Sequence, residues 1–167
     1  GKIIWSANDP NSNNVYAALF NTTGSDQWVY ADQALYRTET ISYLTSGYGQ
    51  DLKVDIPEGS KYLALVVDNA GDSYSYDHGD WINPTLIMKD STEQPLNIAD
   101  TIRTQTKNAY YKYVVADKNI TKSGKLDING TDYDKGFACH ANTMILFKLP
   151  ENVVGFKSYV GIDRTST

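Results

Sequence analysis

The chain has 167 residues, enough for one domain with a real core, and 41% of them are hydrophobic. Its net charge is −5 and its 15 basic residues are scattered, which argues against a nucleic-acid-binding footprint. A single cysteine excludes an internal disulfide framework and a four-cysteine zinc site, and no apolar run approaches the ~20 residues of a membrane-spanning helix.

In chain order, strand signals dominate. Ile3-Ile4-Trp5, Val15-Tyr16-Ala17-Ala18-Leu19-Phe20, Trp28-Val29-Tyr30 and Leu52-Lys53-Val54-Asp55-Ile56 are short runs rich in β-branched or aromatic residues. Turn residues separate them: Asn8-Asp9-Pro10-Asn11, Thr23-Gly24-Ser25, Ser46-Gly47-Tyr48-Gly49 and Pro57-Glu58-Gly59. Tyr62-Leu63-Ala64-Leu65-Val66-Val67 and Ile82-Asn83-Pro84-Thr85-Leu86-Ile87-Met88 read as buried strands on either side of a polar loop. Residues 89–108 read as a connector with one short strand at Leu96-Asn97-Ile98. Beyond it come Tyr113-Val114-Val115, Leu126-Asp127-Ile128, Met144 to Leu149 and Phe156 to Ile162, with Asn129-Gly130 as a two-residue hairpin signal. No window keeps a helical period, so the expected fold is all-β, a β-sandwich or barrel. Residues 1–88 and 111–167 form its two halves, joined by 89–110; neither half has enough strands for two sheets.

The loop between the two buried strands gathers unusual chemistry: Asp68, Asp72, Asp77, His78, Asp80 and Trp81. Catalysis is the weaker reading. Glycoside hydrolysis needs two carboxylates facing each other across a sugar, and one short loop carrying Asp77 and Asp80 does not wrap both faces. No nucleophile-elbow pattern accompanies either histidine, and two histidines in separate halves are a thin zinc site. Cys139, in an apolar run beside His140, reads as a packed core residue. Calcium takes oxygen ligands, and Asp68, Asp72 and Asp77 are spaced to bend around an ion, without the EF-hand pattern; the same acids also serve as ordinary turn caps. Sugar binding uses the whole mixture. A pyranose stacks its C–H face on an aromatic ring, while Asp, His and Arg supply fixed acceptors and donors. Tyr, at 13 residues, suits such polar ligands. Against this, Trp81 at a strand start also fits the core, His140 fits a half-buried strand, and Arg164 fits a solvated terminal charge.

Two long motifs carry a resemblance. The run from Lys122 to Ala141, with Gly124-Lys125-Leu126, Asn129-Gly130, Tyr133, Lys135-Gly136 and His140-Ala141, is followed by Leu149-Pro150, Phe156 and Val160-Gly161-Ile162-Asp163. Leu63-Ala64-Leu65-Val66-Val67-Asp68-Asn69-Ala70-Gly71-Asp72 precedes Asp77-His78-Gly79-Asp80-Trp81. Together they resemble the NPCBM family of carbohydrate-binding modules. The second motif resembles the end of that family's pattern yet comes first here. The order implies either a circular permutation, with 89–108 joining the usual termini, or a fragment cut across two tandem modules. Arg164 departs from the family's second acid.

The resemblance implies a galactose-binding-like jelly roll, often with a structural calcium, that is non-catalytic and binds galactose-type sugars. Asp77, His78, Asp80, Trp81, His140 and Asp163 are the carried-over ligand-binding positions, and Asp68 and Asp72 the ion-holding ones. His78 and His140 are expected to meet at the sandwich rim. Lys2-Ile3-Ile4-Trp5-Ser6 with Val15 to Asn21 is similar, over barely twenty residues, to the β-domain ending α-galactosidase-type glycoside hydrolases. Such modules imply a secreted or cell-surface bacterial setting, a galactose-containing glycan and a parent catalytic domain as partners, and a monomer. The opening Gly1-Lys2-Ile3-Ile4 shows no leader pattern and reads as the start of an excised segment.

Overall fold

The computed structural model describes residues 14–20, 36–37, 41, 45–68, 78–106 and 109–166; the expected strands at 3–5 and 28–30 lie outside them. The strands, in chain order, are β1 (Asn14–Phe20), β2 (Tyr36–Arg37), β3 (Gly49–Asp55), β4 (Tyr62–Asp68), β5 (His78–Met88), β6 (Glu93–Pro95) and β7 (Thr101–Thr106). There follow β8 (Val115–Ala116), β9 (Leu126–Ile128), β10 (Thr131–Tyr133), β11 (Gly136–His140), β12 (Thr143–Lys148) and β13 (Val153–Ile162). All pairings are antiparallel.

One sheet runs β2-β1-β4-β12-β7; the other runs β3-β13-β5-β11-β8, with β6 added to β5. Period-two alternation places Leu63, Leu65 and Val67 of β4 and Ile145 and Phe147 of β12 on one face. They meet Trp81, Leu86, Phe137, Phe156, Val160 and Ile162 of the other sheet in one buried cluster. Phe137 and Phe147 stack across the two sheets at 5.8 Å between centroids. The fold is the expected all-β sandwich. Each sheet mixes strands from before and after residue 89, since β4 pairs with β12 and β5 with both β11 and β13.

The connector departs from expectation. The short strand sits at Glu93–Pro95, while Ile98–Asp100 is a 3₁₀ turn capped by the Asn97 side chain, which accepts from the Ala99 N–H. A further strand, β7, pairs with β12 as the outer strand of its sheet. The run Thr-Ile-Arg-Thr-Gln-Thr lacks an apolar face and so looked like loop. Its β-branched residues nonetheless suit an edge with Ile102 and Thr104 exposed.

A bulge sets the register of β5. Ile82 pairs with Tyr159 and Thr85 with Lys157, so Asn83 and Pro84 together face only Ser158. Pro84 cannot donate to a ladder, and the bulge is where a central strand tolerates it. The Ser158 hydroxyl closes the gap by donating to the Ile82 carbonyl at 2.8 Å. The hairpin turn at Asn129-Gly130 has φ values of 55° and 85°, the pair a type I′ turn needs and Gly adopts freely.

Phe147 is fully buried at the contact between the sheets. Phe147→Ala is expected to lower the unfolding free energy in urea by about 3–5 kcal/mol, against less than about 0.5 kcal/mol for Val154→Ala at an exposed position.

Candidate functional site

His78, Asp80 and Trp81 are not loop residues; β5 begins at His78. Strand alternation then divides them. Trp81 turns inward, fully buried, with its ring 6.2 Å from Phe156, and its indole N–H has no hydrogen-bond partner. The expected stacking platform is therefore a core residue, because the residue following Asp80 in a strand must face the other side. His78 and Asp80 share the opposite face with Ala138 and His140 of β11.

The two histidines do come together, as cross-strand partners within one sheet. Their ring centroids lie 5.2 Å apart. The His78 carbonyl accepts from the Asp163 N–H at 3.0 Å, which ties the end of β13 to the start of β5. Thr165 then bridges side chains. Its hydroxyl donates to Asp163 Oδ1 at 2.8 Å, so it can only accept from His78 Nδ1, 2.8 Å away, which places the proton of His78 on Nδ1. His140 Nδ1 likewise donates to the Ala141 carbonyl, at 2.6 Å. Burial, the neighbouring His140 and, in opposition, Asp163 bring the pKa of His78 down to about 4. Burial also lowers that of His140, against the Ala141 carbonyl. Both rings are neutral at neutral pH.

Asp80 and Asp163 are each 1% exposed. Asp163 is well supplied with donors: the Asp127 N–H at 3.2 Å and the Thr165 N–H at 2.9 Å, besides the Thr165 hydroxyl. Among the described residues no well-formed hydrogen bond reaches the Asp80 oxygens, and the Asp127 N–H is the smallest influence on them. Two carboxylates cannot bond each other, but a protonated Asp80 donates to Asp163. Burial first, then Asp163 and Asp127, raise the Asp80 pKa well above the usual carboxylate range, consistent with that proton. Cys139 is buried and its thiol pKa is pushed up by burial and by Asp80, so it is a packed residue, not a nucleophile.

Tyrosines cover the histidines. Tyr111 lies 5.7 Å from His78 and 5.8 Å from His140 and meets the Tyr110 ring edge-on at 4.9 Å. Tyr110 is 75% exposed, with its ring 6.5 Å from His140. Tyr113 continues the cluster 5.8 Å from Tyr111, donates to the Ile120 carbonyl, and carries Lys122 Nζ 4.4 Å from its ring centroid. Motif reading missed these tyrosines; the run Tyr110-Tyr111-Lys112-Tyr113 in a Tyr-rich chain was the available signal. Of the remaining candidates, Asp68 ends β4, Asp72 and Asp77 lie outside the described residues, and exposed Arg164 sits 3.9 Å from Asp127. Among the described residues no group of three or more His, Cys, Asp or Glu is placed to hold a metal.

The buried groups give opposite pH signatures. Between pH 6.5 and about 4 the unfolded chain binds a proton at His78 and the folded one does not, so acidification through that window should cost up to about 3 kcal/mol of stability. His78→Gln should flatten that slope in urea titrations. Asp80 behaves inversely: as pH rises above the ordinary carboxylate range the unfolded chain sheds a proton that the folded chain keeps, and stability falls. Asp80→Asn retains a donor toward Asp163 and should gain stability over the wild type as pH rises from 5 to 8.

The sequence model of the NPCBM/NEW2 domain matches residues 21–87 and 96–167. Comparison with the curated proteins gave no match, nor did comparison with the solved structures. The two matched segments span most of the chain, including every strand of the histidine–aspartate cluster. The chain belongs to the NPCBM/NEW2 domain family, a carbohydrate-binding, non-catalytic domain type.

Proposed function

We propose that this carbohydrate-binding domain recognises galactose-type sugars at the end of the sandwich where His78 and His140 meet, as the accessory module of a secreted bacterial glycoside hydrolase. The observation that carries the site is the exposed ring of Tyr110, propped by Tyr111 against two neutral histidines. A galactose ring presents a C–H face that stacks on a tyrosine, and its hydroxyls meet polar groups at the ring's edge. In this arrangement Tyr110 contacts the sugar, while Tyr111, His78 and His140 hold it in place. Buried Asp80 and Asp163 act from behind, by fixing β5 against β13, and Trp81 serves the core.

The same reading takes the chain as a monomeric, circularly permuted module. The interleaving of strands from both sides of 89–110 in each sheet supports one domain, and the permuted order rests on the order of the two sequence motifs alone. Calcium belongs, in this reading, to Asp68 and Asp72. The parent catalytic domain supplies the avidity that a weak monovalent site lacks.

Isothermal titration with galactose tests the site. The wild type should give binding heat, and Tyr110→Ala should weaken affinity about tenfold, the equivalent of about 1.4 kcal/mol, with the thermal midpoint unchanged. A calcium chelator should lower the midpoint and leave the contribution of Tyr110 intact. A folded protein that gives no heat with any galactoside would make it a packing domain instead.

A further inference from the structure

The opposite end of the sandwich carries a different chemistry. β5 ends at Met88 and β13 begins at Val153, so the strands that bring His78 and Asp163 together at one end open, on the order of 30 Å away, onto a second surface. There the 57–61 turn, the start of the turn after β5 and the Leu149–Asn152 link between β12 and β13 enclose a cleft of about 740 Å³, within the range of small-ligand sites. Its walls are fixed by backbone hydrogen bonds: Leu149 N–H to the Lys61 carbonyl at 2.8 Å, Lys89 N–H to Asn152 at 2.7 Å, and Ile56 N–H to Val154 at 2.9 Å.

Lys61, Lys89, Lys148, Glu58 and Glu151 all line this cleft. None of the five makes an ion pair among the described residues. Outside the cleft, Lys125 pairs with Asp134, Lys135 with Asp117 and Lys157 with Glu93. Three ammonium groups brought from three separate chain segments outnumber the two carboxylates, on a chain whose net charge is −5. Such a set supplies charged donors for an anionic group and carboxylate acceptors for hydroxyls, and the side of Tyr62 adds apolar area.

We propose that this cleft is a second saccharide subsite, selective for sugars that carry a carboxylate. It is separate from the tyrosine–histidine end and does not depend on what binds there. The ammonium groups neutralise the sugar carboxylate, and Glu58 and Glu151 accept from its hydroxyls.

Titrating the isotope-labelled protein with galacturonate, its uncharged methyl ester and galactose, followed by amide chemical shifts, tests the proposal. Galacturonate should shift the amides of residues 58–62 and 148–154, while the ester and galactose at equal concentration leave them in place. Lys61→Ala/Lys148→Ala should weaken the galacturonate response on the order of tenfold and leave the remaining spectrum unchanged. An unresponsive cleft, or equal shifts with the ester, would overturn the assignment in the wild type alone, whatever the variant does. Shifts confined to Tyr110 and His140 would likewise overturn it, and would report on the other end.

Discussion

The register of β5 is the constraint on which the rest of the structure depends. It lies between β11 and β13, so Gly79 to Ile82 are fixed against both neighbours at once. His78 faces His140; Asp80 lies between Ala138 and Gly161; Trp81 lies between Phe137 and Val160. A slip of one residue would send Trp81 to the outer face and drive His78 and Asp80 into the core, where an unsatisfied polar group costs several kcal/mol. The bulge at Asn83 and Pro84 is part of the same constraint. Simple alternation would place Leu86 on the face opposite Trp81. The extra residue reverses the parity, so both reach the same core cluster. One strand thus sends its first half outward with polar groups and still fills the core along its whole length.

Burying two histidines and two aspartates on that outer face works because most of the charge is absent. Isolated buried ions are costly, and the cluster avoids them by proton placement. His78 keeps one proton on Nδ1 for Thr165, His140 keeps one for the Ala141 carbonyl, and Asp80 shares one with Asp163. Asp163 is the acceptor at the centre, receiving from two backbone N–H groups and the Thr165 hydroxyl. These contacts sew the turn after β13 and the start of β9 onto β5. The acids therefore act as joints of the fold more directly than as ligand contacts.

The sandwich, its turns and most strands were legible because β-branched and aliphatic runs between Gly, Pro and Asn turns have few other ways to fold. The pairing of His78 with His140 was legible too, through motifs more than sixty positions apart. What failed was the treatment of Asp77-His78-Gly79-Asp80-Trp81 as one cooperative loop. Polar residues and a glycine resemble a turn, and only the neighbouring strands β11 and β13 show that backbone pairing continues to His78. Once it is a strand, period two forbids His78 and Trp81 from facing the same way. β7 was missed for a related reason: an edge strand needs no apolar stripe. Tyr110 was missed because a single exposed ring has no periodicity; only its neighbours in space mark it.

The two ends of the sandwich divide the chemistry that sequence order had mixed. At the start of β5 the polar groups are buried and held by one another and by the backbone, so their geometry is stiff and their contribution is positional; the exposed area is aromatic. At the far end the charged groups are exposed and unpaired, and the walls behind them are held by backbone bonds. A stiff aromatic edge favours an uncharged ring that stacks, whereas free ammonium groups on a rigid frame favour a charge. Antiparallel strands running the length of the domain keep these two surfaces apart, so a glycan contacting one leaves the other accessible.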